Sequence, residues 1–138
     1  MIVDANIVVK WFVAEADSEA ALAVRLQGEL FAPDIMLIEY RNALLKKVRR
    51  QAISPDEARR AESEIDSAEI TILPAAPLLN DAFQLALDLR EPIYDCIYLA
   101  AAIVSDRVLV TADQRFAAKV RGADGASDRI KLLADLRT

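Results

Sequence analysis

Short apolar runs with polar or proline stops recur along the chain. Ile2-Val3 ends at Asp4, Leu30 to Ala32 at Pro33, Ile70 to Leu73 at Pro74, and Val108 to Val110 at Thr111. Runs this short, without in-and-out alternation, fit strands buried on both faces. Segments of helical period lie between them. Ser18 to Leu26 is one, and Leu37, Tyr40, Leu44 and Val48 form the apolar stripe of a second. Ser54-Pro55-Asp56-Glu57 reads as a helix start, with a serine cap, proline at the first position and acids in the first turn. Leu78 to Leu89 and Tyr94 to Val104 are two more; the latter is apolar almost all round, which predicts a central place. Ile130 to Leu133 predicts an added edge strand. Strands alternating with one or two helices predict an α/β fold whose sheet, of four to five mostly parallel strands, has helices on both faces.

Length and composition narrow this to one unit over residues 1–138. The chain is 54% hydrophobic and 28% charged, has only three Gly and five Pro, and shows no internal repeat, so linkers and solenoids find no support. Its single cysteine, Cys96, can form no internal disulfide and has no CxxC companion, which predicts a reducing compartment, the cytoplasm. The N-terminal run fails as a secretion signal. Ala14-Glu15-Ala16 mimics a cleavage site, but the needed positive charge follows as Lys10 instead of preceding the apolar core, and Asp4 comes first. Cys96 to Val104 falls well short of the roughly 20 residues that span a bilayer, so no membrane segment is expected.

Asp4 interrupts an apolar run where a buried strand would want Val or Ile, which suits a helix cap or one ligand of a composite site. In parallel α/β sheets ligands bind beyond the carboxyl ends of the strands, at the switch point of strand order. Asp4 ends the first strand and Asp113 follows the Val108 to Val110 run. Glu39 lies beside the apolar stripe of its helix, with Asn42 and Lys46 further along the same side. Asp95 lies in the first turn of the most apolar helix, where dipole complementation alone is worth roughly 0.3–1 kcal/mol.

The absence of histidine excludes Ser-His-Asp and Cys-His nucleophile systems and His-ligated zinc, and Cys96 reads as a small core residue. Carboxylates with Asn, Ser or Thr oxygens remain, and hard oxygen donors suit Mg²⁺ or Mn²⁺. Two carboxylates about 4 Å apart repel by roughly 4 kcal/mol at an effective dielectric near 20, so a cluster either raises its pKa values or captures a cation. The net charge of −5 weighs against a nucleic-acid partner. However, seven of the 17 basic residues fall between positions 41 and 60: Arg41, Lys46, Lys47, Arg49, Arg50, Arg59 and Arg60. Such a strip fits either RNA or a solvated helix face.

In order, VDANIVVKWF, APDIMLIEYRNALL, IYDCIYLAAA and VLVTADQRF resemble the four acidic motifs of PIN-domain nucleases. Their spacing and the chain length resemble the VapC toxin ribonucleases of VapBC toxin-antitoxin systems. The resemblance implies a three-layer α/β/α PIN-like domain and Mg²⁺- or Mn²⁺-assisted attack of water on an RNA phosphodiester. It makes Asp4, Glu39, Asp95 and Asp113 the acidic quartet, with Asn6 and Thr111 supporting it by hydrogen bonds and Arg115 meeting a phosphate. It also implies a homodimer and a VapB-type antitoxin, for which exposed parts of Trp11-Phe12 and the helix after Pro33 are candidate contacts; core packing is the competing account of Trp11 and Phe12. A PIN-like module that binds RNA or protein without catalysis is the alternative. A haloacid-dehalogenase-like phosphatase fits poorly because its DxD is DAN here, and a receiver domain lacks its adjacent acids and late lysine.

Overall fold

The computed structural model of the chain describes residues 1–136. Its strands are β1 (Ile2–Val3), β2 (Phe31–Pro33), β3 (Thr71–Leu73), β4 (Leu109–Thr111) and β5 (Ile130–Leu132). They form one sheet in the order β3-β2-β1-β4-β5, and every neighbouring pair is parallel. The α-helices of the described residues are α1 (Ala5–Phe12), α2 (Ser18–Arg25), α3 (Ile35–Arg49), α4 (Pro55–Ser63), α5 (Leu79–Leu89), α6 (Ile93–Val104) and α7 (Gln114–Arg121).

The order of strands sets the layers. From β1 the chain steps outward to β2 and β3, then returns across the sheet to β4 on the far side of β1 and continues to β5. Right-handed crossovers therefore place α1 to α4 over one face and α5 to α7 over the other. In agreement, α6 packs on β1, β2 and β4, and α5 packs on α6. The direction of stepping reverses between β1 and β4, which makes the carboxyl edge of those two strands the switch point.

Burial follows the sequence pattern at the centre and departs from it at one edge. Ile2, Val3, Leu109 and Val110 are almost fully buried, and in α6 so are Cys96 to Ala102. In β3, by contrast, Thr71 and Ile72 are exposed, because the strand is an edge and its run of apolar residues is covered only in part. Ile130 to Leu132 forms the opposite edge, beside β4. Two helices come from segments that showed no clear helical period, α1 and α7. Ser54 makes a full capping box with Glu57 at the start of α4. Tyr40, wholly buried, donates its hydroxyl to the Ala61 carbonyl at 2.6 Å and so ties α3 to α4. Trp11 is taken up in the core, where its indole N–H reaches the Ala21 carbonyl at 2.7 Å, while Phe12 packs edge-on against Tyr40. Among the described residues no helix is long and apolar enough to cross a membrane.

Candidate active site

Helices that follow parallel strands begin at the carboxyl edge of the sheet, so their N-terminal turns gather there. That geometry brings four separated acids to one cleft of about 550 Å³, lined by Asp4, Glu39, Asp95 and Asp113. Asp4 is the N-cap of α1, Glu39 lies in the second turn of α3, Asp95 in the first turn of α6, and Asp113 is the N-cap of α7. Capping does not take Asp4 away from the cleft: Asp4 Oδ1 accepts the Ile7 N–H at 3.0 Å while the side chain lines the cleft.

Thr111, the buried last residue of β4, joins two of the acids. Its hydroxyl donates to Asp4 Oδ2 at 2.9 Å and accepts the backbone N–H of Asp113 at 3.1 Å. Asp113 Oδ1 is held in turn by the Phe116 N–H at 2.9 Å. Across the cleft the Tyr98 hydroxyl donates to Glu39 Oε1 at 2.6 Å and fixes that side chain from α6. Tyr98 had no distinguishing signal in the sequence, since a tyrosine in an apolar helix reads as core.

Burial and neighbouring acids make ionisation harder for two members of this cluster. Asp4 is pushed up to about 6, by desolvation first and then by Asp95 and Glu39, against the opposing bonds from Ile7 and Thr111. Asp95 is also pushed up to about 6, by desolvation and then by Asp113, Glu39 and Glu91, with Arg115 pulling the other way. Burial, and then proximity to Glu39, raise the Tyr98 hydroxyl far above its ordinary range, so it stays a donor. Cys96, buried beside Asp95, is raised to about 11 and behaves as a core residue.

The supporting residues divide. Thr111 binds as described. Asn6, exposed at the second position of α1, lines the cleft but makes no side-chain hydrogen bond among the described residues. Arg115 lies outside the cleft lining; its guanidinium pairs at 2.6 Å with Glu91, whose side chain is almost fully buried. This ion pair links the start of α7 to the segment before α6 and leaves the Arg115 side chain largely exposed.

Hard carboxylate oxygens grouped around one cleft suit a divalent cation. The acids surround the cleft without converging: among the described residues no three metal-ligating side chains are already gathered into a cage. Mg²⁺ asks for less than a cage, because it keeps several waters and binds through one or two carboxylates plus substrate oxygens.

The PIN domain family model matches residues 1–122. Ribonuclease VapC3 of Pyrobaculum aerophilum is 34% identical over 122 residues, which span 86% of this chain and 93% of that protein. The crystal structure of PAE2754 from Pyrobaculum aerophilum superposes with a TM-score of 0.70 at 26% identity, covering 98% of this chain and 84% of the other. VapBC2 from Rickettsia felis, solved bound to a DNA fragment from its promoter, shares the fold at a TM-score of 0.65 and 15% identity, covering 95% and 96% of the two chains. An acid at each helix start around the switch point, a family model over most of the length and a VapC relative at this identity lead to one statement: the chain belongs to the PIN-domain family, among the VapC proteins.

Proposed function

We propose that this chain is the toxin of a type II toxin-antitoxin pair and hydrolyses RNA phosphodiester bonds with Mg²⁺ or Mn²⁺, in the cytoplasm, as a homodimer held in check by a VapB-type antitoxin. The observation that carries the reading is that four carboxylates line one cleft, three from helix starts and Glu39 from the second turn of α3, with two of them joined through Thr111. Asp4, Asp95, Asp113 and Glu39 would hold the metal. Once bound, the ion would polarise a phosphoryl oxygen and lower the pKa of water, the chemistry that carboxylates alone lack.

The chain's own part is positioning. Ile7 N–H and the Thr111 hydroxyl fix both oxygens of Asp4, and Phe116 N–H fixes one of Asp113, so these carboxylates enter the reaction already oriented. Glu39, with one oxygen on Tyr98, keeps the other for the attacking water. The positive ends of α1, α6 and α7 favour the anionic forms that metal binding requires.

The purified protein should cleave single-stranded RNA with Mg²⁺ or Mn²⁺, and chelation should stop it. Asp4→Asn keeps a capping side chain, yet should cost more than the roughly 10–100-fold that follows loss of an outer-sphere partner; Asp95→Ala should do the same, with unchanged circular dichroism. Cleavage that survives chelation, or full activity in both variants, would sink the mechanism. Binding of RNA without cleavage under any divalent ion would favour a non-catalytic module.

A further inference from the structure

The basic strip of residues 41 to 60 divides once folded. Arg41 pairs with Glu62, Arg59 with Asp56 and Arg60 with Glu64, and none of the three lines the acidic cleft. Lys46, Lys47 and Arg50 instead line the acidic cleft, together with Lys10 of α1. Within this second group Lys10 and Lys47 are already neutralised: both pair with Glu15, and Lys10 also with Asp17 at 3.0 Å. Lys46 and Arg50 are exposed, and among the described residues neither has a salt-bridge partner.

Their placement on α3 is directional. At 100° per residue, Glu39, Lys46 and Arg50 fall within about 20° of one line along the helix, and the rise puts them about 10 and 16 Å beyond Glu39. The cleft therefore has an acidic end, where α1, α6 and α7 begin, and a basic end toward the carboxyl terminus of α3. We infer that Lys46 and Arg50 form a phosphate-binding subsite that takes the RNA backbone next to the scissile linkage, so the bound strand runs from the carboxylates along α3 toward Arg50. This assignment rests on the nuclease reading for its scissile linkage. The attraction itself is independent of cleavage, because single-stranded phosphates bind such cations by counterion release. Glu15 and Asp17 confine the subsite to these two residues by occupying the neighbouring ammonium groups.

The test is equilibrium binding of a labelled oligouridylate to the Asp4→Asn chain from about 50 to 200 mM salt. Each phosphate contact on a single strand contributes about 0.7 to the slope of log K against log salt, so Lys46→Ala with Arg50→Ala should flatten it by about 1.4. The parent would then lose about sevenfold more affinity than the double variant across that range. Arg59→Ala with Arg60→Ala, equal in charge removed but remote from the cleft, should leave the slope unchanged. An equal effect from the remote pair, or no change from Lys46 and Arg50, would overturn the subsite. Loss of affinity for a polyglutamate peptide with RNA binding intact would also overturn it, by assigning the cations to an acidic protein partner. Cleavage by the chain with Asp4 intact, together with an unaltered slope, would leave the nuclease reading standing alone, whereas a flattened slope with no cleavage by the chain with Asp4 intact would leave only the subsite.

Discussion

Asp95 shows how a residue proposed for the site can weigh against the stability of the fold. Asp4 and Asp95 titrate near 6, against an ordinary 3.8. Between those values the native state keeps protons that the unfolded chain has released, so stability falls as pH rises through about 4 to 6, and the full penalty stands above 6. This is the reverse of a salt-bridged carboxylate. A displacement of this size corresponds to roughly 3 kcal/mol, and because Asp95 is only partly buried, solvent screening should reduce it to about half. In chelator at pH 7.5, Asp95→Asn should therefore stabilise the chain by about 1–2 kcal/mol, raising the melting temperature by several degrees. The gain should vanish near pH 4, which thermal melts across pH would read; a gain independent of pH would refute the account. The sequence exposed these acids because each is misplaced among apolar neighbours. It concealed Tyr98, whose partner lies 59 positions away, and Glu91, an unremarkable loop acid until the fold buries it under Arg115.

Among the elements, α6 was the most legible and α1 the least. An apolar surface all round can only be satisfied inside, and α6 is packed by β1, β2 and β4 on one side and α5 on the other. In α1, the run Ile7-Val8-Val9 has the β-branched composition of a strand. It is helical because Asp4 caps it and because Ile7, Val8, Val9 and Trp11 all find cover. Tertiary burial overrode local propensity there. The eight-residue α7 was too short for its period to stand out, although Phe116, Ala117 and Val120 face inward. The price of the central position of α6 is tolerance: Ala100, Ala101 and Ala102 are each no more than 1% exposed. Ala102→Leu should overpack the contact and cost about 1–3 kcal/mol, measured as a lower denaturation midpoint with an unchanged m-value. A cost below about 0.5 kcal/mol would mean that the helix can shift away from its neighbours.

For the whole molecule, the question is what surface would let a chain of net charge −5 form the proposed homodimer. Two copies carry twice that charge, so long-range electrostatics opposes pairing and any stable contact must be apolar. α5 offers such a face: Leu79, Phe83 and Leu87 recur every four residues and are 44%, 59% and 58% exposed. An adjacent side of the same helix buries Ala82 and Leu89. Four-residue spacing makes one stripe, and an exposed Phe flanked by two exposed Leu is more apolar than a solvated face requires. If this stripe is the centre of the homodimer, association and RNA binding should respond to salt in opposite senses. Added salt screens the repulsion between copies and leaves the apolar contact in place, while it weakens contacts to phosphate. Sedimentation over a range of protein concentrations should show a monomer-dimer equilibrium that strengthens, or holds, as salt rises. Phe83→Arg should return the chain to monomer without loss of helix content, because a guanidinium at the centre of the patch would be desolvated without a partner. A chain that sediments as a monomer throughout, or a dimer unaffected by Phe83→Arg, would place the contact elsewhere or remove it.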